Sequence, residues 1–185
     1  MADAGRDARE RLKQERSDLQ SVNPVPFGFF ARPKRKRDGT TDFFEWTCGV
    51  VPKKSSPYTL PGGGCYEVKL VFTNDFPIDP PRAFFSPEIF HTNVFPNGGS
   101  VCLSILLNEG HHKGTVSSHW SPSMTILDIL LGLQSFFDEP NPKSVANEAA
   151  CELLTKSGRA AYNDRVKKEA LLYEQRLEEH KKKIT

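Results

Sequence analysis

Between His91 and Leu106 the chain reads His-Thr-Asn-Val-Phe-Pro-Asn-Gly-Gly-Ser-Val-Cys-Leu-Ser-Ile-Leu. Cys102 stands there in a polar, glycine-rich setting, and a thiol needs such access to act as a nucleophilic thiolate. Asn93 lies a short loop upstream and offers a side-chain N–H to an oxyanion if the Pro96-Asn97-Gly98-Gly99 loop folds back. The chemistry open to this pair is attack by sulfur at a carbonyl, with the amide meeting the charge that develops. The alternative for Asn93 is to brace its own loop, as asparagines in turns do. His91 is expected to be a structural hydrogen-bonding residue rather than a base.

The other three cysteines lack such company. Cys48 falls in phase with Phe44, Trp46 and Val50 and is expected to be a buried small hydrophobe. Cys151 lies in a helical segment beside Ala150, and Cys65 follows three glycines with no chemistry nearby. No CxxC pair and no secretion signal support a disulfide framework. His111, His112 and His119 fall in a long loop at 108–119 near Cys102 in sequence, but neither CxxC nor HxxxH spacing frames a zinc site. A solvated loop is the expectation there.

The elements that must hold Cys102 are legible from periodicity. Residues 4–20 read as a helix with Ala4, Ala8, Leu12 and Leu19 on a sparse apolar stripe. Pro24 and Pro26 end it. Four strands are expected at 27–31, 44–50, 66–72 and 83–85, with clean alternation in the second and third. Asp38-Gly39 marks the first turn. Consecutive short antiparallel strands imply a meander covered by helices, an α+β arrangement. Thr125-x-x-Asp128 reads as a capping box opening a central buried helix with Ile126, Leu130, Leu133 and Phe137 as its stripe. A short helix at 145–154 is expected to bury Val145, Ala149 and Leu153. A long one at 159–182 carries Tyr162, Val166, Ala170, Tyr173 and Leu177 at helical spacing, with its charged end, from Gln175 to Lys183, projecting into solvent.

With 185 residues, the chain suits one domain, 1–185, with a genuine core. Charged residues at 26% and hydrophobic residues at 37% are ordinary for a globular protein. A net charge of +2 is too small by itself to imply nucleic-acid binding, and no direct nucleic-acid contact is expected. No apolar run approaches the ~20 residues needed to span a bilayer. The polar N-terminus carries no secretory signal, so nucleus and cytoplasm are the expected location. Lys34, Arg35, Lys36 and Arg37 precede the first turn, where exposure alone accounts for charge. A nuclear-import signal is the other reading of that run.

The His91–Leu106 stretch resembles the active site of the ubiquitin-conjugating enzyme family, in its SUMO-conjugating branch. Val101-Cys102-Leu103-Ser104-Ile105-Leu106 has that branch's wording, and Ser104 replaces the aspartate common in ubiquitin-conjugating relatives. Phe27-Gly28-Phe29, Asp38-Gly39-Thr40, Trp46-x-Cys48, Pro52-Lys53-Lys54, the run from Ile129 to Gln134, and Glu139-Pro140-Asn141 match in order. The resemblance implies an N-terminal helix, a four-stranded antiparallel meander, a catalytic-cysteine loop and three C-terminal helices. It implies that Cys102 takes a modifier's C-terminal glycine as a thioester from an activating enzyme, and that a substrate lysine then attacks. No cofactor is implied in the chain itself, since ATP is consumed by the upstream activating enzyme. The implied partners are SUMO, its activating enzyme, SUMO ligases and substrates bearing hydrophobic-Lys-x-Glu sites.

Residue roles follow from the same resemblance. Asn93 stabilises the oxyanion. Arg82, in place of a family lysine, and Ser100, in place of a threonine, line the acceptor groove together with Phe95, which replaces a tyrosine. Arg16 and the run of Lys34, Arg35, Lys36 and Arg37 fall where the family contacts the activating enzyme and modifier. Ser144 occupies the position of an aspartate that orients or desolvates the incoming lysine. Thr92 stands where the family has proline, and the interval from Asn93 to Cys102 is one residue longer than usual. Two alternatives stay open: conjugation of ubiquitin or another small modifier, and a noncatalytic scaffold of the same fold. Scaffold relatives typically lose the cysteine, and Cys102 is present.

Overall fold

The computed structural model describes residues 4–22, 25–107 and 120–184. Helix α1 (Ala4–Ser21) precedes strands β1 (Phe30–Arg35), β2 (Thr41–Val50), β3 (Tyr66–Val71) and β4 (Arg82–Phe85). Helices α2 (Ile126–Phe136), α3 (Glu148–Lys156) and α4 (Gly158–Ile184) follow. The strands form one antiparallel sheet in the order β1-β2-β3-β4. This is the expected α+β meander with helices packed on it. Among the described residues no helix is long and apolar enough to cross a membrane.

The core sits between the sheet and α2. Tyr66, Val68 and Leu70 of β3 turn inward while Glu67, Lys69 and Val71 alternate outward, and Trp46, Cys48 and Val50 of β2 are fully buried. Burial pushes the Cys48 thiol far above its ordinary range, so it stays an inert thiol. The capping box forms as the sequence predicts: Asp128 N donates to Thr125 Oγ1 at 3.1 Å and Thr125 N donates to Asp128 Oδ2 at 2.9 Å. Behind that start, Ile126, Ile129, Leu130, Leu133, Phe136 and Phe137 are buried. Each such side chain contributes roughly 1.5–3 kcal/mol by leaving water.

A buried acid joins α1 to α2. Glu15 sits among Ala8, Leu12 and Leu19 on the inward face of α1. Its Oε2 accepts from Ile126 N at 2.9 Å, and its Oε1 pairs with the Arg11 guanidinium at 2.8 Å. The carboxylate thus meets the positive end of α2, where a negative charge is favourable. Arg11 also donates to the carbonyls of Pro122 and Met124, each at 3.0 Å.

Four expectations need correction. Strand β2 starts at Thr41 rather than residue 44, because Thr41 and Asp42 pair with Arg35 and Lys34 of β1. Strand β1 begins at Phe30 rather than residue 27, because Pro26–Gly28 is a 3-10 turn in which Phe27 has φ 60 and Gly28 φ 75. Phe27 is 60% exposed and only Phe29 of that aromatic group is buried. The short helix α3 starts at Glu148, capped by Asn147, whose side chain accepts from Ala150 N. Val145 therefore lies outside it and is 48% exposed, and the inward face is carried by Ala150 and Leu154 rather than Ala149 and Leu153. The charged end of α4 does not simply project into solvent. His180 Nε2 and Ser86 Oγ are 2.7 Å apart, and Lys181 pairs with Glu67 at 2.9 Å. The loop at 108–119, with its three histidines, lies outside the described residues.

Candidate active site

Cys102 and Asn93 are brought face to face by the backbone. Cys102 N donates to Asn93 O at 2.8 Å, and Val94 bridges Val101 in the antiparallel sense. The same run is fastened to β4, where Val101 N donates to Ala83 O at 2.9 Å and Phe85 N donates to Gly99 O at 2.8 Å. The turn that connects Asn93 to Cys102 runs through Asn97, Gly98 and Gly99, which all have positive φ. Gly99 is required there twice over. Its φ is +67, and a Cβ would come within 2.1 Å of Phe85 O. The turn thus closes with Asn93 and Cys102 still paired through the backbone.

Asn93 is almost wholly buried, and its amide is fully engaged. Nδ2 donates to Asn141 O at 2.8 Å and to Ser144 O. Oδ1 accepts from Thr92 Oγ1 at 2.9 Å and from Asn141 N at 2.8 Å. A carboxamide has two donors and two acceptor lone pairs, so all four are in use. The bracing role that the sequence left open is occupied here. Donation to an oxyanion requires one N–H to leave or share its carbonyl.

The neighbours of Asn93 reinforce this brace. Thr92 is fully buried, and its carbonyl accepts from both Ala146 N and Asn147 N at 2.9 Å, which ties the start of α3 to the site. Asn141 N, which can only donate, and the Asn141 and Ser144 carbonyls, which can only accept, fix which way the Asn93 amide faces, and the Thr92 hydroxyl, absent from a proline, adds a donor to Oδ1. His91 is also fully buried. Its Nδ1 accepts from Asn93 N at 3.0 Å, so Nε2 carries the proton and donates to Phe136 O at 3.0 Å. The ring stacks on Phe136 with centroids 3.9 Å apart. Burial pushes its pKa down to about 3, so it is neutral and structural at ordinary pH.

Ser144, forty-two residues from Cys102, reaches the thiol directly, with Oγ 3.1 Å from Sγ. Both residues line a groove of about 320 Å³ that runs over the Ser104–Leu106 turn to α2, past Leu103, Ile105 and Gly132. Gly132 keeps that groove close to the helix, since a Cβ there would meet Ile105 Cδ1 at 2.4 Å. Among the described residues, Cys102, Asn93 and Ser144 form one polar cluster in this groove, whose lining mixes Leu103, Ile105 and Phe136 with Ser104, Ser135 and Glu139. Asn141 belongs to it too, and sequence reasoning noted it only as part of a matching tripeptide.

The remaining candidates fall into two groups. Phe95, Ser100 and Arg82 lie beside the cysteine loop at the β4 edge. Ser100 bridges Phe84, the Arg82 guanidinium lies 5.9 Å from the Phe84 ring, and Phe95 is 48% exposed. Arg16 and the basic run lie at the opposite, β1 edge. Arg16 and Arg35 line a groove of about 710 Å³ with Leu19, Val25 and Pro33. Lys34 pairs with Glu45 at 2.8 Å and Lys36 with Asp42 at 3.8 Å. Lys34 and Arg35 belong to β1 rather than to the turn that follows.

Comparison with known proteins agrees with this geometry. The family model described as "Ubiquitin-conjugating enzyme" matches residues 11–170. The SUMO-conjugating enzyme UBC9 of Caenorhabditis elegans is 40% identical over 166 residues, covering 90% of this chain and 91% of the relative. The Sumo-conjugating enzyme ubc9 of Dictyostelium discoideum is 37% identical over 163 residues, covering 88% and 93%. A part-exposed thiol on a backbone-paired loop, a buried asparagine clamping the facing loop and a match across nearly the whole chain lead to one assignment: the chain belongs to the ubiquitin-conjugating enzyme family.

Proposed function

We propose that this enzyme conjugates SUMO, accepting its C-terminal glycine on Cys102 as a thioester and passing it to substrate lysines as an isopeptide. The observation that carries the reading is the Cys102 thiol lining a groove beside Asn93 and Ser144, which are hydrogen-bonded to each other. The groove suits an extended, small-residue tail. A thioester suits the two steps because it retains acyl-transfer potential while thiolate remains a good leaving group. The names of the two relatives, together with Ser104 and the Asp38-Gly39-Thr40 turn, support SUMO over ubiquitin.

Within this reading Asn93 has two roles in discharge. It holds the 141–144 segment against Cys102 and lends an N–H to the tetrahedral oxyanion, an effect of roughly 3–4 kcal/mol in comparable donor deletions. Ser144 stands where an incoming lysine passes and gates it weakly. Arg82, Ser100 and Phe95 receive the hydrophobic-Lys-x-Glu acceptor, with Arg82 facing its acid. Arg16 and the basic β1 edge receive the activating enzyme and modifier. The chain uses no cofactor of its own. A charging assay with each activating enzyme, ATP and either SUMO or ubiquitin, resolved on a nonreducing gel, tests the proposal. SUMO is expected to charge the chain and ubiquitin to leave it free. Efficient charging by ubiquitin overturns the branch assignment.

A further inference from the structure

We propose that Ser144 acts on sulfur, its hydroxyl donating a hydrogen bond to Cys102 Sγ whenever that atom carries negative charge. The two atoms are 3.1 Å apart. With a thiol, either can donate. A thiolate has no proton, so the Ser144 O–H is then the donor, and bonds to charged acceptors are the stronger kind. Among the described residues, Ser144 is the one side chain hydrogen-bonded to Sγ.

Sulfur carries charge twice. It attacks as thiolate when the C–S bond to the modifier forms and the activating enzyme's thiolate departs. It leaves as thiolate when the lysine N–C bond forms and the C–S bond breaks, the electron pair going to Sγ and the amine's surplus proton to water. Ser144 keeps its own proton in both steps.

The position is fixed from both sides. The Ser144 carbonyl accepts from Asn93 Nδ2, and its N–H donates to Asn141 O at 3.3 Å. The hydroxyl therefore meets sulfur without rearrangement of the loop. An ionised aspartate, the residue of the resembled pattern, is acceptor-only and cannot do this. Two lone pairs remain on Oγ to receive an incoming amine, so the gate and the sulfur contact coexist. This inference rests on the thioester reading and adds a second target for the same side chain.

The test is single-turnover discharge of the Cys102 thioester to hydroxylamine and to an acceptor-peptide lysine, in the parent, Ser144→Ala, Ser144→Thr and Ser144→Asp. A leaving-group effect is blind to the nucleophile. Ser144→Ala is expected to slow hydroxylamine discharge about fivefold and lysine discharge at least as much, since the weak gate is lost with the sulfur contact, with the peptide KM unchanged. Ser144→Thr restores the hydroxyl and the rate. Ser144→Asp slows hydroxylamine as alanine does but raises the lysine-to-hydroxylamine ratio. An unchanged hydroxylamine rate in Ser144→Ala overturns the proposal. A second arm needs no modifier: alkylation of the Cys102 peptide by iodoacetamide at pH 7, followed by mass spectrometry. Ser144→Ala is expected to slow it about threefold, and an equal rate overturns the sulfur contact. Failure of the parent to charge with SUMO strikes the conjugation reading alone, leaving alkylation to judge the contact.

Discussion

At the β4 edge of the sheet, Thr92 and Asn93 are buried and spend every hydrogen bond of the Asn93 amide on neighbouring loops. At the β1 edge, Lys34 and Lys36 reach outward into solvent-exposed ion pairs with Glu45 and Asp42. The contrast separates two tasks. A polar group buried without its partner costs about 1–3 kcal/mol, so the edge that holds Asn93 is intolerant of change. An exposed ion pair contributes about 0–1 kcal/mol, so the basic edge is free to be shaped by what docks there. On the proposed function, chemistry is held by the buried network, and recognition is spread over surfaces that cost the fold little.

The sharpest way to break this contrast is Asn93→Ala. It strands Asn141 N, Asn141 O and Ser144 O around a small void, and should lower stability by about 2–4 kcal/mol. Charging should persist while discharge to lysine falls about a hundredfold. Thermal melts and single-turnover gels measure the two effects, and an unchanged melt would show that the brace is not structural.

Acid should act on the same edge next. His91 has a folded pKa of about 3 against an ordinary value near 6.5, so the unfolded chain binds its proton more readily. Stability is therefore complete above pH 6.5 and lost as pH falls toward 3, at up to about 1.4 kcal/mol per unit. Between pH 6.5 and 5 this amounts to roughly 2 kcal/mol. Urea titrations of the parent and His91→Asn across that range should differ in slope, and parallel curves would remove His91 as the acid-sensitive group.

Much of this layout was legible in the sequence where the cause is local. The Thr125–Asp128 box and the alternation of β3 are set within a few residues, and both form as predicted. Cys102 was legible by its surroundings. What could not be read depends on distant chain. Phe27 adopts a positive φ in the 26–28 turn, so β1 starts three residues late. Asn147 caps α3 while its N–H binds Thr92 O, which moves that helix and rotates its buried face by one residue. Glu15 looks like a solvated charge until α2 places Ile126 N against it. The contact of Ser144 with sulfur joins residues forty-two positions apart, and periodicity carries no trace of it.

A milder test of the buried edge is Thr92→Val, which keeps the volume and removes the hydroxyl on Asn93 Oδ1. One hydrogen bond is lost, about 1 kcal/mol, and discharge should slow a few-fold with charging intact. Equal discharge in this variant would detach Thr92 from the brace. The smallest effect on the fold belongs to the opposite edge. Lys34→Ala should alter stability by less than about 0.5 kcal/mol and leave single-turnover discharge unchanged, while raising the activating-enzyme concentration needed for half-maximal charging. A slowed discharge step there would merge the two edges that the structure keeps apart.

The account stands or falls on sulfur at position 102. Incubating Cys102→Ser with SUMO-activating enzyme, ATP and SUMO should replace the parent's thiol-labile adduct with an oxyester that survives reductant and yields to hydroxide. A thiol-labile adduct persisting on Cys102→Ser would place the nucleophile on another cysteine and contradict the site described here.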